Sequence, residues 1–277
     1  MTGAYDMHVH VAPSHFKRSI DAFDLVSAMD EYRMAGAVLK MHFADTVGQA
    51  TLVNSHSGAR SKVFGSVVLN HPSGGINPYA VESALSLGGK VVWMPTFHAK
   101  ADQIATNFQH NSMPAKGMRI LDENSKLLPA VYDVFDVVKK YGAVLATGHM
   151  CQEETTELIW RGLEQGVRMV VTHPDSKAEN IPLELQKRFA EAGAVISKCW
   201  FNVIKGDLNT LETARRIRHI GAEHCILVTD FGQARNPIPP IGMADFIDAL
   251  LRAGLQEDEI KVMICQNPAA LLSVADK

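Results

Sequence analysis

The run PAVYDVFDVVKKYGAVLATGH, residues 129–149, holds one complete repeat of the pattern that organises this chain. Pro129 opens a helical stretch at the position where a missing N–H is harmless, and Val131, Val134, Phe135 and Val138 recur on one stripe. Gly142 stops it. Residues 143–147 then read as a short strand that is apolar on both faces, and His149 follows just past its end.

The same unit recurs on either side. Further strands are expected at 4–10, 37–42, 63–69, 90–94, 168–172, 194–198 and 225–229. Before the second of them, Ala22, Leu25, Val26 and Met29 mark a helix face, with Asp21 as its N-cap and Gly36 as its stop. Gly166, Gly193 and Gly221 punctuate later helices just before a strand begins. Eight right-handed βα units predict an α/β fold, a (β/α)8 TIM barrel forming a single domain over residues 1–277. A doubly wound open sheet is the alternative, but no Gly-rich phosphate fingerprint follows the first strand. One connection breaks the rhythm. Residues 95–128, after the fourth strand, are long and polar, as lids and insertions over a barrel mouth tend to be.

Composition narrows the function classes. With 277 residues and a formal charge of −3, the chain carries no basic footprint for nucleic acid. No apolar run approaches the ~20 residues that span a bilayer, and no signal-peptide pattern follows Met1, so a cytoplasmic protein without membrane contact is expected. Cys151, Cys199, Cys225 and Cys265 fall into no metal spacing and read as reduced thiols. A homo-oligomer is compatible with the sequence, which carries no mark of one.

The chemistry lies at the strand ends. His8 and His10 are two apart on the first strand and share a face. His149 follows the fifth strand, His173 ends the sixth and Asp230 ends the eighth. In a barrel these C-terminal ends converge on one mouth. Singly, each has an ordinary structural explanation; together, four histidines and a carboxylate are the ligand set of Zn²⁺ first, with Mn²⁺, Fe²⁺, Co²⁺ and Ni²⁺ sharing its preferences. A small-molecule substrate is expected, hydrolysed by metal-activated water. Arg18, Arg119 and Arg235, with Lys17, are candidate clamps for a substrate carboxylate, although each is also an ordinary solvated charge. Glu154 and Cys151, close behind His149, are candidate liners of the mouth, as is His42.

At these positions the chain resembles the amidohydrolase superfamily, as an uncharacterised branch of it. The resemblance runs from Asp6 to Asp230 and into Gln266-Asn267-Pro268-Ala269-Ala270-Leu271-Leu272, which is similar to the family's closing N-P-A element. It implies that His8, His10 and Asp230 hold a buried metal, that His149 and His173 hold a second, and that Asp230 takes the proton of the attacking water. An amide, lactone or ester would be cleaved. The chain departs from the pattern at the bridge between the metals. Val91-Val92-Trp93-Met94 on the fourth strand supplies neither a lysine nor a glutamate. Lys40, on the second strand beside His42, is the candidate for a carbamylated bridge, or else a lysine paired with a nearby carboxylate. Lys198 is the weaker candidate. Three rival readings remain: a one-metal decarboxylase or hydratase that needs no His173, a phosphoesterase, and a catalytically silent binding barrel.

Overall fold

The computed structural model describes residues 1–106 and 116–273. Among these, nine short strands pair in parallel: β1 (Tyr5–Val9), β2 (Gly36–Leu39), β3 (Lys62–Phe64), β4 (Ser66–Val68), β5 (Val91–Trp93), β6 (Val144–Ala146), β7 (Arg168–Val171), β8 (Val195–Cys199) and β9 (Cys225–Val228). The helices are α1 (Ala22–Glu31), α2 (Val47–His56), α3 (Pro78–Ser86), α4 (Lys100–Thr106), α5 (Pro129–Lys140), α6 (Gln152–Glu164), α7 (Leu183–Glu191), α8 (Trp200–Lys205), α9 (Thr210–Ile220), α10 (Pro239–Arg252), α11 (Glu257–Lys261) and α12 (Asn267–Leu272).

The expected third strand is divided. β1-β2-β3 form one ladder and β4 to β9 another, with the break at Gly65. The start of α2 approaches there, and a Cβ on residue 65 would lie 2.4 Å from the Val47 Cα. Thr46 takes over the hydrogen bonds, its N–H donating to Ser66 O at 2.9 Å and its Oγ1 accepting from Ser66 N at 2.9 Å. β3 and β4 are thus two halves of one stave, and the barrel has eight. The β9–β1 seam is closed by Asp230 N to His8 O at 3.0 Å and His10 N to Phe231 O at 2.8 Å. Asp6 reinforces it, accepting from Thr229 N at 3.1 Å and from the Thr229 hydroxyl. Burial pushes the Asp6 carboxyl up to about 7, although these donors pull the other way.

Side chains alternate between two apolar clusters, as a strand period of two requires. Leu39, Leu69, Val92, Leu145 and Leu227 pack with helix residues such as Leu25, Val26, Val131 and Phe135. Val38, Val68, Val91, Trp93, Val144, Ala146, Ile226 and Val228 form the second cluster from the opposite strand faces. α1 buries Ala22, Leu25, Val26 and Met29, and the Asp21 side chain accepts from Asp24 N at 2.9 Å. Its end differs from expectation. The helix stops at Glu31, Arg33 turns the chain at φ 57°, and Met34 N reaches back to Met29 O at 2.9 Å, so Gly36 opens β2 instead of closing the helix.

The connection after β5 contains α4, and its two ends are fastened together by Met118 N to His98 O at 2.7 Å and Lys100 N to Met118 O at 2.8 Å. Residues 107–115 of the expected insertion lie outside the described residues. Near the C-terminus, Asn267 of the N-P-A element donates to Cys225 O at 2.7 Å and Ala222 O at 3.1 Å, anchoring the start of β9. Among the described residues, no helix is long and apolar enough to cross a membrane.

Candidate metal centre

The seam between β1 and β9 sets the first group of residues. The backbones of His8, His10 and Asp230 are hydrogen-bonded across it, so their side chains meet at fixed spacing. His8 Nε2 lies 3.1 Å and His10 Nε2 2.9 Å from the same atom, Asp230 Oδ1. The other nitrogen of His10, Nδ1, is 2.8 Å from Lys40 O. A carbonyl only accepts, so Nδ1 carries the proton and a neutral ring presents an Nε2 lone pair to a carboxylate oxygen. Two lone pairs at that distance repel unless a proton or a cation lies between them.

Burial pushes His10 down to about 4 against the pull of Asp230, which leaves the ring neutral at pH 7. Burial likewise drives His8 well below its ordinary value. Asp230 goes the other way: burial would raise it, but His8, His10 and His173 hold it well below the usual carboxylate range. Two neutral imidazoles facing one ionised carboxylate fit a divalent cation. Their separations are a few tenths of an ångström short of the roughly 3.4 Å kept by ligand atoms about 2.1 Å from one tetrahedral ion.

His149, His173 and Glu179 form a second group, whose potential ligand atoms lie within 4.8 Å of one another. Gly148 places His149. With φ at 65° and a would-be Cβ only 2.3 Å from Met94 O, only glycine lets the end of β6 press this closely on that of β5. His149 Nδ1 donates to Asp102 Oδ1 of α4 at 3.0 Å, leaving Nε2 as the free lone pair when the ring is neutral. His173 Nδ1 and Glu179 Oε2 are 3.6 Å apart, both buried and without a hydrogen-bond partner. Burial alone would lower His173, but the Glu179 charge raises it. Two unpartnered buried acceptors, the Glu179 oxygen and an unprotonated His173 Nδ1, again fit a cation. His173 and Asp230 also hold left-handed backbone, at φ 27° and 55°. Conformations uncommon for side-chain-bearing residues thus fall on both groups.

The groups are neighbours: the rings of His8 and His173 are 6.0 Å apart, centre to centre, and those of His149 and His173 4.9 Å. Lys40 is buried beside the first. Its Nζ lies 3.1 Å from His8 Nε2 and 4.3 Å above the Trp93 ring, and among the described residues it forms no ion pair with a carboxylate. Burial brings its ammonium down to about 8, against the attraction of Asp230. His42 stacks on His10 at 4.9 Å and on Phe97 at 4.1 Å, and its Nδ1 meets Thr96 Oγ1 at 2.9 Å. Asn70 locks that corner, with Nδ2 donating to Thr96 Oγ1 at 2.7 Å and to His42 O at 2.8 Å. Arg18 is half-buried and feels the Asp230 charge, while its Nε donates to Ser14 Oγ at 3.2 Å.

Other candidates are occupied elsewhere. Arg119 pairs with Glu153 at 3.1 Å and Glu154 at 3.7 Å, and the buried Glu154 carboxylate also accepts from Ile120 N at 2.9 Å. These residues fasten the long connection to α6. Cys151 donates to Glu154 Oε2, and burial raises its thiol. Arg235 is exposed and lies over the Phe201 ring, and Lys17 is exposed. Lys198 is committed to Asp175 at 2.7 Å and Gln186 at 2.8 Å. Sequence reading missed Glu179 and Asp102. The first lies in an irregular loop and the second on a short helix of the insertion, and neither position carries a periodic or motif signal.

Barrel and strand-end constellation define a class: the chain has the fold of the amidohydrolase barrels. An amidohydrolase from Pseudomonas aeruginosa superposes with a TM-score of 0.66 at 13% identity, over 98% of this chain and 95% of that one. The organophosphorus hydrolase from Deinococcus radiodurans gives 0.61 at 12%, over 98% and 93%. A 2,6-dihydroxybenzoate decarboxylase, in complex with 2,6-dihydroxybenzoate, gives 0.60 at 13%, over 99% and 100%. At such identities the likeness is one of fold. No curated protein matches the sequence. The chain belongs to DUF6282, a family of unknown function, whose model matches residues 3–197.

Proposed function

We propose that this protein is a metal-dependent hydrolase that cleaves an amide, lactone or ester bond of a small molecule, with Asp230 as the proton acceptor. The observation that carries the reading is the sharing of Asp230 Oδ1 by His8 and His10 while Lys40 O fixes the His10 tautomer. His8, His10 and Asp230 would hold one divalent ion, Zn²⁺ first, and His149, His173 and Glu179 a second. Bound there, such ions lower the pKa of water and polarise a carbonyl. Asp230, ionised throughout the neutral range, takes the water's proton and returns it to the leaving group. Arg18 holds an anionic part of the substrate, and His42 offers a hydrogen bond at the mouth. Lys40, with its ammonium weakened, is the residue on which a bridging carbamate would form. The described part of residues 95–128, which reaches the site through Asp102, acts as its cover.

The test is hydrolysis of a panel of lactones, carboxyl esters, amides and phosphoesters by protein loaded with each divalent metal. Turnover confined to the carboxylic substrates and lost in Asp230→Asn is expected; full turnover by that variant would exclude Asp230 as the acceptor. A second reading, a one-ion non-hydrolytic enzyme, is favoured by the lack of any bridging acid or lysine on β5. Decarboxylation without hydrolysis, undiminished in His173→Ala, would establish it.

A further inference from the structure

Two polar atoms inside the barrel have no hydrogen-bond partner although both are buried: His8 Nδ1 and Trp93 Nε1. An indole N–H only donates, and leaving it unpaired in an apolar interior is unfavourable. The two residues are in contact, with ring centres 4.9 Å apart. They line one small interior cavity of about 10 Å³, together with Ser197 of β8 and apolar residues including Met7, Val144 and Val228. One water needs roughly 10–15 Å³ of such space and two to four polar partners. Three of the lining residues, Trp93, His8 and Ser197, carry a polar side-chain atom.

We propose that this cavity is a site for a single structural water bridging Trp93 Nε1–H, His8 Nδ1 and the Ser197 hydroxyl. The inference rests on the reading that His8 holds a metal through Nε2, which requires the ring proton on Nδ1. The water then accepts from His8 Nδ1–H and from Trp93 Nε1–H and donates to Ser197 Oγ. Trp93 is therefore a positioning residue. Its ring face lies under the Lys40 ammonium and, through the water, its N–H steadies the His8 ring with Nε2 aimed at Asp230. Outer partners of this kind change metal affinity by about 10–100-fold when removed.

The direct test is a high-resolution crystal structure of the wild-type protein, together with magnetisation transfer from bound water to the Trp93 indole proton by NMR. A water in the cavity and a cross-peak to that proton are expected. A dry cavity would overturn the proposal, whatever the metal content proves to be. The functional test is Trp93→Phe, which keeps an aromatic ring and removes the donor. Zinc affinity measured by competition with a chromogenic chelator should fall about 10-fold or more, and the ¹⁵N shifts of His8 in the metal-free protein should move. Unchanged affinity and unchanged shifts would show that the indole N–H positions nothing. Should Trp93→Phe fold poorly, Ser197→Ala probes the same water from the opposite strand, with a smaller loss expected. If the water is found but elemental analysis detects no metal, the site stands and the hydrolase reading falls.

Discussion

The two candidate ligand groups at the barrel mouth are built differently. His8, His10 and Asp230 stand on neighbouring staves whose backbones are hydrogen-bonded across the closing seam, so the barrel itself holds them in place. His149, His173 and Glu179 are held by connections: Glu179 comes from the loop after β7, and His149 is oriented by Asp102 on a helix of the long insertion. Rigid staves favour a tightly defined inner subsite. Loops make the outer one more dependent on the surrounding chain and more open to adjustment during evolution.

The sharpest way to break this contrast is Asp230→Asn. It should abolish metal at the inner subsite and lower kcat by about 10²–10⁴-fold, the range of a lost proton acceptor. An ion retained at full occupancy would show that the inner group is not organised around that carboxylate. His173→Ala should be milder on metal content, removing the outer ion and leaving the inner one, as elemental analysis of the two variants side by side would reveal. Next comes Asp102→Asn, which keeps the shape but weakens the acceptor of the His149 proton. A loss of about 10–100-fold in affinity at the outer subsite alone is expected. Equal loss at both subsites would erase the distinction.

The pH dependence should separate the site from the seam. In the metal-free fold His10 is pushed down to about 4, and His8 and His42 move the same way. On acidification from about 6.5 the unfolded chain takes up protons that the folded site refuses, so stability falls with pH through that window. Asp6, raised to about 7, works in the opposite direction, because the fold keeps a proton that the unfolded chain releases above about 4. Three histidines against Asp6 and the raised His173 make acid destabilisation the expected net result. Asp6→Asn should steepen it, as denaturant midpoints between pH 4 and 7 would show. The smallest effect belongs to Arg119→Ala at the insertion's edge. The pair with Glu153 is exposed and worth about 0–1 kcal/mol, and the buried Glu154 keeps its bond from Ile120 N, so turnover should scarcely change.

The same contrast explains what was legible in the sequence. Strand periodicity put His8 and His10 on one face, and the repeated βα unit put His149, His173 and Asp230 at matching ends, because both follow from local spacing. Glu179 and Asp102 have no such mark, since their places depend on how two irregular connections pack. The break at Gly65 was hidden for a related reason: its cause is Val47, brought against it only by the fold. Arg119 and Glu154 suited a substrate clamp as isolated charges, and only the packing of the insertion on α6 reveals that they hold each other.

The most direct measurement is elemental analysis of the wild-type chain, purified without chelator and then equilibrated with excess zinc and desalted. About two ions per chain are expected, falling to about one in His173→Ala. No bound ion after equilibration would rule out a metal centre at the barrel mouth.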